Sequence, residues 1–413
     1  MLQQIPFCAR ALCLPLLAGL AAAQSGDWVI PAGQVVQYRT GPSKVIVNSL
    51  RIEPGAVLRV VGKYEFHVVA QSIEIDGTLD ASGWSAQDVA TLGTGNLVEQ
   101  GALGAAGGGR GGSANKITSS STPQGDAGFG VYDGFSGLGG GGGESGFDAT
   151  SSSNVDKRRG AGGGGGAFGP DVVGGGVGLV AAKGANGGPT ATGCVTGLQP
   201  PKGGAIAPRA FVDANPDNDF FGQKPFLPGL PPIVGELAYP RPGVGGGAGG
   251  NSCAGPTFPT PVWTPNSDEK GAGGGGGGGL LIAEAQTVRI GLTGRIVANG
   301  GSGASGENTL ALNHVGAGSG GGSGGMIVIQ ANALDLSQAA PGVFEARGGK
   351  GGAGLTSNPT SVGSGGDGGP GLVQVHAVNG ASVAYPPAYA SPIAALQALS
   401  VPPAHLLLPV ALL

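Results

Sequence analysis

Charge is scarce in this chain. Asp, Glu, Lys and Arg together make up 11% of its 413 residues, and the formal net charge is -4. Binding to nucleic acid through phosphate neutralisation needs clustered Lys and Arg, so that class is excluded. Histidine is sparse and scattered: His67, His314, His376 and His405 lack metal-ligand spacing, and each reads as a surface residue. No glycine tract ends in Gly-Lys-Ser/Thr, which excludes a phosphate-cradling loop. Serine triplets such as Gly301-Ser302-Gly303 lie inside glycine tracts and not on the α/β sheet a nucleophile elbow requires. No catalytic residue, cofactor site or metal site is therefore expected.

Cysteine is also rare. Of four, Cys8 and Cys13 fall in an N-terminal segment that reads as a secretory signal, residues 1–23. Arg10 supplies a weak positive region, Ala11 to Ala22 is apolar, and Ala21-Ala22-Ala23 offers small residues for cleavage. The apolar run is shorter than the roughly 20 residues a membrane span needs, so no span is expected in the mature chain. Cys194 and Cys253 remain, and export to an oxidising compartment allows them to pair or stay free.

Glycine is what the chain has in abundance, at 90 residues, alternating with short β-prone runs. Those runs align. One copy is Val45–Ile52 followed by Gly55–Arg59; the next is Val68–Ile75 followed by Gly77–Gly83. Two later copies are Ala283–Ile290 with Gly294–Gly300, and Ile329–Leu336 with Gly342–Gly348; Leu372–Ala377 is an incomplete last one. Apolar and polar residues alternate with period two, which predicts short strands with one buried face. Breaks too short for a helix predict successive coils of a parallel β-solenoid. Val47 and Ala70 are 23 residues apart, one coil, whereas Ala285, Ala331 and Ala377 are 46 apart because a glycine arm is added to each coil.

Stacked coils bring equivalent positions into columns. One column is an amide ladder of Asn48, Gln71, Gln286 and Asn332. Another is the alternating charge column Arg51, Glu74, Arg289 and Asp335. The glycine arms, Gly139–Gly143, Gly162–Gly166, Gly273–Gly279 and Gly318–Gly325, are either flexible or packed as left-handed polyglycine helices with three residues per turn. Repeated placement at one corner favours packing.

The organisation expected is a signal at 1–23, an N-terminal cap at 24–44 and first coils at 45–83. A Gly/Pro-rich insertion occupies 84–270, with a further coil near 176–188. Later coils follow at 271–377, and 378–413 is a cap or tail. The insertion holds Phe211, Phe220, Phe221, Phe226, Tyr239, Phe258 and Trp263, which suit sugar contact. Asp213, Asn215, Asp217 and Asp219 alternate like calcium-loop ligands, but Asn218 and Lys224 replace the required Gly and Glu, so a polar turn is the reading. Asp80 and Glu345 occupy equivalent positions with Val297 between, a thin basis for polysaccharide cleavage; Arg295, Arg347 and Lys350 form a basic patch.

Residues 45–83 and 280–377 resemble the glycine-rich, pectin-lyase-like, right-handed parallel β-helix proteins of bacterial surfaces. The glycine tracts are similar to those of some phage tail adhesins. The resemblance implies an all-β solenoid that scaffolds or recognises, with no catalytic residue carried over. The expected function is a secreted or cell-surface structural or adhesive scaffold; the alternative is a carbohydrate-binding or polysaccharide-degrading β-helix. Extracellular glycans or cell-envelope components are the expected partners.

Overall fold

In the computed structural model, strands form where apolar and polar residues alternate, since that alternation gives a strand one face to bury. The structure describes residues 26–89, 98–115, 124–134, 138–144, 146–148, 157–159, 161–167, 184, 192–193, 202–207, 210–211, 215, 218–224, 231, 233–252, 269–307, 314–340, 342–354, 363–377, 390–391 and 396–399.

Seven strands precede the insertion: β1 (Asp27–Ile30), β2 (Val35–Arg39), β3 (Val45–Ile46), β4 (Ser49–Ile52), β5 (Val57–Val61), β6 (Phe66–Ile75) and β7 (Thr78–Asp80). Five short ones lie within it: β8 (Gly146–Asp148), β9 (Lys157–Arg159), β10 (Thr192–Gly193), β11 (Gln223–Lys224) and β12 (Ile233–Val234). After it come β13 (Leu280–Ile290), β14 (Arg295–Val297), β15 (His314–Val315), β16 (Met326–Asp335), β17 (Phe344–Glu345), β18 (Leu372–Ala377), β19 (Ala390–Ser391) and β20 (Leu396–Leu399). The single helical feature among the described residues is a 3-10 turn at Val131–Asp133.

Two sheets carry the fold. The first runs β1-β4-β6-β13-β16-β18-β20 with β3 also on β6, and the second β2-β5-β7-β14-β17-β19. Every pairing within them is parallel. Each successive layer gives one strand to each sheet, in chain order. The insertion leaves this order intact: β6 and β13 are direct neighbours, with Ala70 opposite Ala285. Ala285 in turn faces Ala331, and Ala331 faces Ala377.

One apolar core joins the two sheets. Leu50, Ile73, Val288 and Ile327 from the first meet Leu58, Leu79, Ile296 and Phe344 from the second, all buried. Each such side chain contributes about 1.5–3 kcal/mol on burial.

Within the segment 24–44, read from the sequence as a cap, residues 26–44 add a strand to the end of each sheet. Trp28 of β1, Tyr38 of β2 and Phe66 of β6 close that end as an aromatic trio, with centroids 5.3 to 6.3 Å apart. Asp27 accepts hydrogen bonds from Asn48 Nδ2 and Ser49 Oγ, both 2.7 Å. These two bonds, Ser49 first, hold the Asp27 carboxyl below its ordinary 3.8. A depressed carboxyl stabilises the fold above the unfolded value, and the effect is lost as pH falls through the folded one. Asp27→Asn should therefore flatten the low-pH limb of a stability–pH curve by lowering stability at neutral pH, while stability in acid, where the wild-type carboxyl is protonated, changes little.

The columns have the following geometry. Arg51 Nε lies 3.8 Å from Glu74 Oε2, and Arg289 Nη2 lies 3.6 Å from the same oxygen. Arg289 also reaches Asp76 at 2.9 Å. Arg289 sits opposite Asp335 in register, and its charge helps lower the Asp335 carboxyl, after the larger effect of hydrogen bonds from Ser337. In the amide column, Asn332 Nδ2 donates to Gln286 Oε1, whereas Asn48 gives its side-chain amide to Asp27. Glu74→Lys would put three positive charges in a row; a loss of about 1 kcal/mol, shrinking with added salt, is expected in urea titrations.

The glycine segments continue the layers. Gly279 runs into β13, Gly325 into β16 and Gly371 into β18, while residues 81–89, 298–307 and 346–354 leave β7, β14 and β17. Hydrogen bonding within them repeats every third residue. In segment 271–279, the N–H groups of Ala272, Gly275 and Gly278 donate to Ala317, Gly320 and Ser323. Those of Gly274 and Gly277 donate to Gly112 and Gly109, and those of Gly276 and Gly279 to Trp84 and Ala81. The carbonyls turn to three other segments. Gly278, Gly275 and Ala272 accept from Gly243, Gly246 and Gly249; Gly274 and Gly277 accept from Ala102 and Ala105; Gly276 accepts from Gly301. Segment 316–325 repeats the pattern, bonding to segments at 244–250, 272–278, 298–304, 163–166, 349–352 and 363–369. Only glycine allows such approach: a Cβ on Gly276 would collide with the Leu103 carbonyl, and one on Gly322 with that of Gly276.

Candidate functional site

The outward face of the second sheet carries a row of mostly polar residues. Leu58, Leu79, Ile296 and Phe344 point into the core, so the alternate residues face out. In register these are Gln37, Arg59, Asp80, Val297 and Glu345 on successive strands. Arg59 bonds Asp80 and the Ser82 carbonyl, and its guanidinium lies 4.9 Å from the centre of the Trp84 ring. Trp84 is 46% exposed. Its N–H donates to the Leu103 carbonyl at 2.9 Å, which sets it beside another exposed apolar residue. A cation beneath the ring contributes about 0.5–1 kcal/mol and holds it in place.

Asp80 and Glu345 are two strands apart, and both are engaged. Arg59 takes Asp80; Arg295 lies 3.4 Å from Glu345, and Asn299 Nδ2 donates to it at 3.2 Å. The basic patch is similarly offset: Arg295 meets Glu345, and Lys350 Nζ meets Asp367 at 2.9 Å.

Of the insertion aromatics that the structure describes, Phe211 and Phe220 are buried and Phe221 is partly so. Phe211 and Leu237 are buried against Leu280, Ile282, Met326, Val328 and Leu372 on the outer face of the first sheet. Gln374 fixes that cover, accepting from Phe221 N–H at 3.1 Å and donating to its carbonyl at 3.2 Å. Phe220 is also buried, while Tyr239 is 60% exposed. His67, expected at the surface, is half-buried on that same face beside Glu284, with Nε2 and Oε2 3.0 Å apart. Phe226, Phe258, Trp263, Cys194, Cys253, Asp213, Asp217, residues 1–23 and, apart from Gly184, the further coil at 176–188 lie outside the described residues.

A second polar cluster lies at the far end of the glycine segments. Asn251, Ser252, Glu269, Lys270 and Glu307 are all buried. Ser252 N–H donates to the Glu269 carbonyl at 2.8 Å while Ser252 Oγ accepts from Glu269 N–H at 2.7 Å. Asn251 Oδ1 accepts from Gly271 N–H, and Glu307 Oε2 from Lys270 N–H at 3.0 Å. Burial pushes the Lys270 amine down from 10.5 to about 8, against an upward pull from Glu99 and Glu307. Sequence reasoning missed this cluster because its members come from three separate stretches, 251–252, 269–270 and 307.

Among the described residues, no group of three or more His, Cys, Asp or Glu is placed to hold a metal, and no helix is long and apolar enough to cross a membrane. No protein-family model matches the chain, and neither a curated protein nor a solved structure does.

Proposed function

We propose that this is an exported, cell-surface scaffold of structural or adhesive type, without catalytic activity. In this reading the two parallel sheets wind as a right-handed β-helix like the surface proteins it resembles, and the glycine segments are polyglycine-II helices. The observation that carries it is the threefold hydrogen-bond period of segments 271–279 and 316–325, each bonded to six neighbours. A helix with three residues per turn aims N–H and C=O groups in three directions each, as that period requires. Such an array ties the insertion to the sheets over a long length, which suits a rigid display element. Incubation of purified protein with acidic and neutral polysaccharides should give no cleavage; reproducible product release would overturn the scaffold reading.

One observation favours carbohydrate binding as the second reading: Trp84 is exposed, yet held by Arg59 on a sheet face carrying Gln37, Asn299 and Glu345. A fixed aromatic ring with planar polar neighbours suits the apolar face and hydroxyls of a sugar. Affinity electrophoresis in neutral glycans should show retention of the wild type. Trp84→Ala should weaken it about tenfold or more, as loss of a central aromatic contact does. Equal retention of the two proteins counts against this surface.

A further inference from the structure

Lys270 is a buried amine that the scaffold leaves unexplained. Its side chain is 0% exposed, and Nζ has no hydrogen-bond partner. Buried ammonium groups are normally paired and hydrogen-bonded, because the uncompensated charge is costly. Here Glu99 Oε1 lies 4.0 Å from Nζ, too far for a hydrogen bond, and the Glu99 side chain is itself only 14% exposed. Glu307 is buried and anchored on the same residue, with Oε2 accepting from Lys270 backbone N–H at 3.0 Å and its charge acting on the amine. The backbone around them is close-packed glycine and alanine, and Val89, Ala272 and Ala304 form a small apolar cluster on these segments.

We propose that Lys270 and Glu99 become joined by an amide bond once the chain has folded. The reaction begins when one proton moves from Nζ to the Glu99 carboxylate across the 4.0 Å between them, which leaves a neutral amine facing an acid. The Nζ lone pair then attacks Glu99 Cδ, forming the C–N bond as the C=O electrons move onto oxygen. Glu307 takes a proton from Nζ and delivers it to the departing hydroxyl of Glu99. The C–O bond breaks, the carbonyl re-forms and one water leaves past the exposed edge of Glu99. Glu307 ends as it began, and neither oxidant nor reductant is needed. The lowered affinity of the Lys270 amine for its proton is in keeping with such a nucleophile.

The location gives the bond a purpose. Residues 98–105 run beside 271–277, with Ala102 donating to Gly274 and Ala105 to Gly277. Glu99 and Lys270 therefore stand near the two ends of the insertion, and joining them closes it into a covalent ring. The bond does not depend on whether the protein is a scaffold or a sugar-binding module.

Intact mass of the full secreted chain, denatured and thiol-reduced, tests this. The expected value is the sequence mass of the secreted chain less one water. Proteolysis should release a branched peptide joining the Glu99 and Lys270 segments. Lys270→Arg and Glu99→Ala should each restore the full mass, and Glu307→Gln should leave a mixture that converts slowly. The wild-type measurement needs no variant to fold. Full sequence mass in protein with a native β-sheet circular dichroism spectrum would overturn the bond, as would a branch mapped to any other pair of residues.

Discussion

Gly276→Val should destabilise the protein by more than about 3 kcal/mol and prevent cooperative refolding. The new side chain has no place to go, because the Leu103 carbonyl occupies the volume a Cβ needs. Displacing the segment would break the bond from Gly276 N–H to Trp84 O at 3.0 Å and that from Gly301 N–H to Gly276 O at 2.7 Å. Overpacking costs roughly 1–3 kcal/mol, and each buried group left unpaired a further 1–3. Gly33→Ala is the control. Gly33 has φ +70°, but nothing lies within 4 Å of the place an added methyl group would take, so only the backbone cost applies, about 1 kcal/mol. Urea midpoints of the two variants should differ widely. Equal midpoints would mean that the glycine segments are not close-packed.

Phe66→Ala should cost about 3–5 kcal/mol, the range for a buried aromatic truncated to alanine. Phe66 is 1% exposed and packs against Tyr38 and Trp28 at 5.6 and 6.3 Å between centroids. It also begins β6, the strand that bridges the layers before and after the insertion. Phe66→Leu keeps most of the volume and should cost less than about 1.5 kcal/mol. Chemical denaturation separates the two; a loss below about 1 kcal/mol for the alanine variant would show that the trio contributes little at this end.

What was legible in the sequence follows from which interactions use side chains. The register of β6, β13, β16 and β18 could be read because each carries apolar residues at period two and an alanine at the same point of the layer. β1 and β2 were hidden as strands, since Asp27–Ile30 and Val35–Arg39 lack the Gly-x-apolar-x-Ala-x-Gly element of the later copies. The cover over the first sheet left a trace that could have been used. Leu280, Leu281 and Ile282 are consecutive apolar residues, a pattern of strands buried on both faces, and Met326–Ile329 repeats it. That trace would have moved Phe211 from a sugar-facing position to the sheet. Neighbours within the glycine array were beyond sequence reasoning, because a run of identical residues carries no sign of which segment lies beside it. The Lys270 cluster was illegible for a related reason: Glu99, Asn251, Lys270 and Glu307 meet only through that array.

The three-residue period of the array has a last consequence. Sliding one all-glycine segment along its neighbour by three residues would regenerate every backbone contact, so glycine by itself leaves the alignment degenerate. The rare residues with side chains act as locating pins. Ser323 Oγ accepts from Val244 N–H at 2.8 Å, Ser319 Oγ from Ala304 N–H at 2.9 Å, and Asn251 Oδ1 from Gly271 N–H at 2.9 Å. A slip of one period would forfeit all three, and would drag β13 and β16 out of step with the sheet they enter. Two serines and one asparagine, together with the strands, thereby select one alignment among several that the backbone would accept equally well.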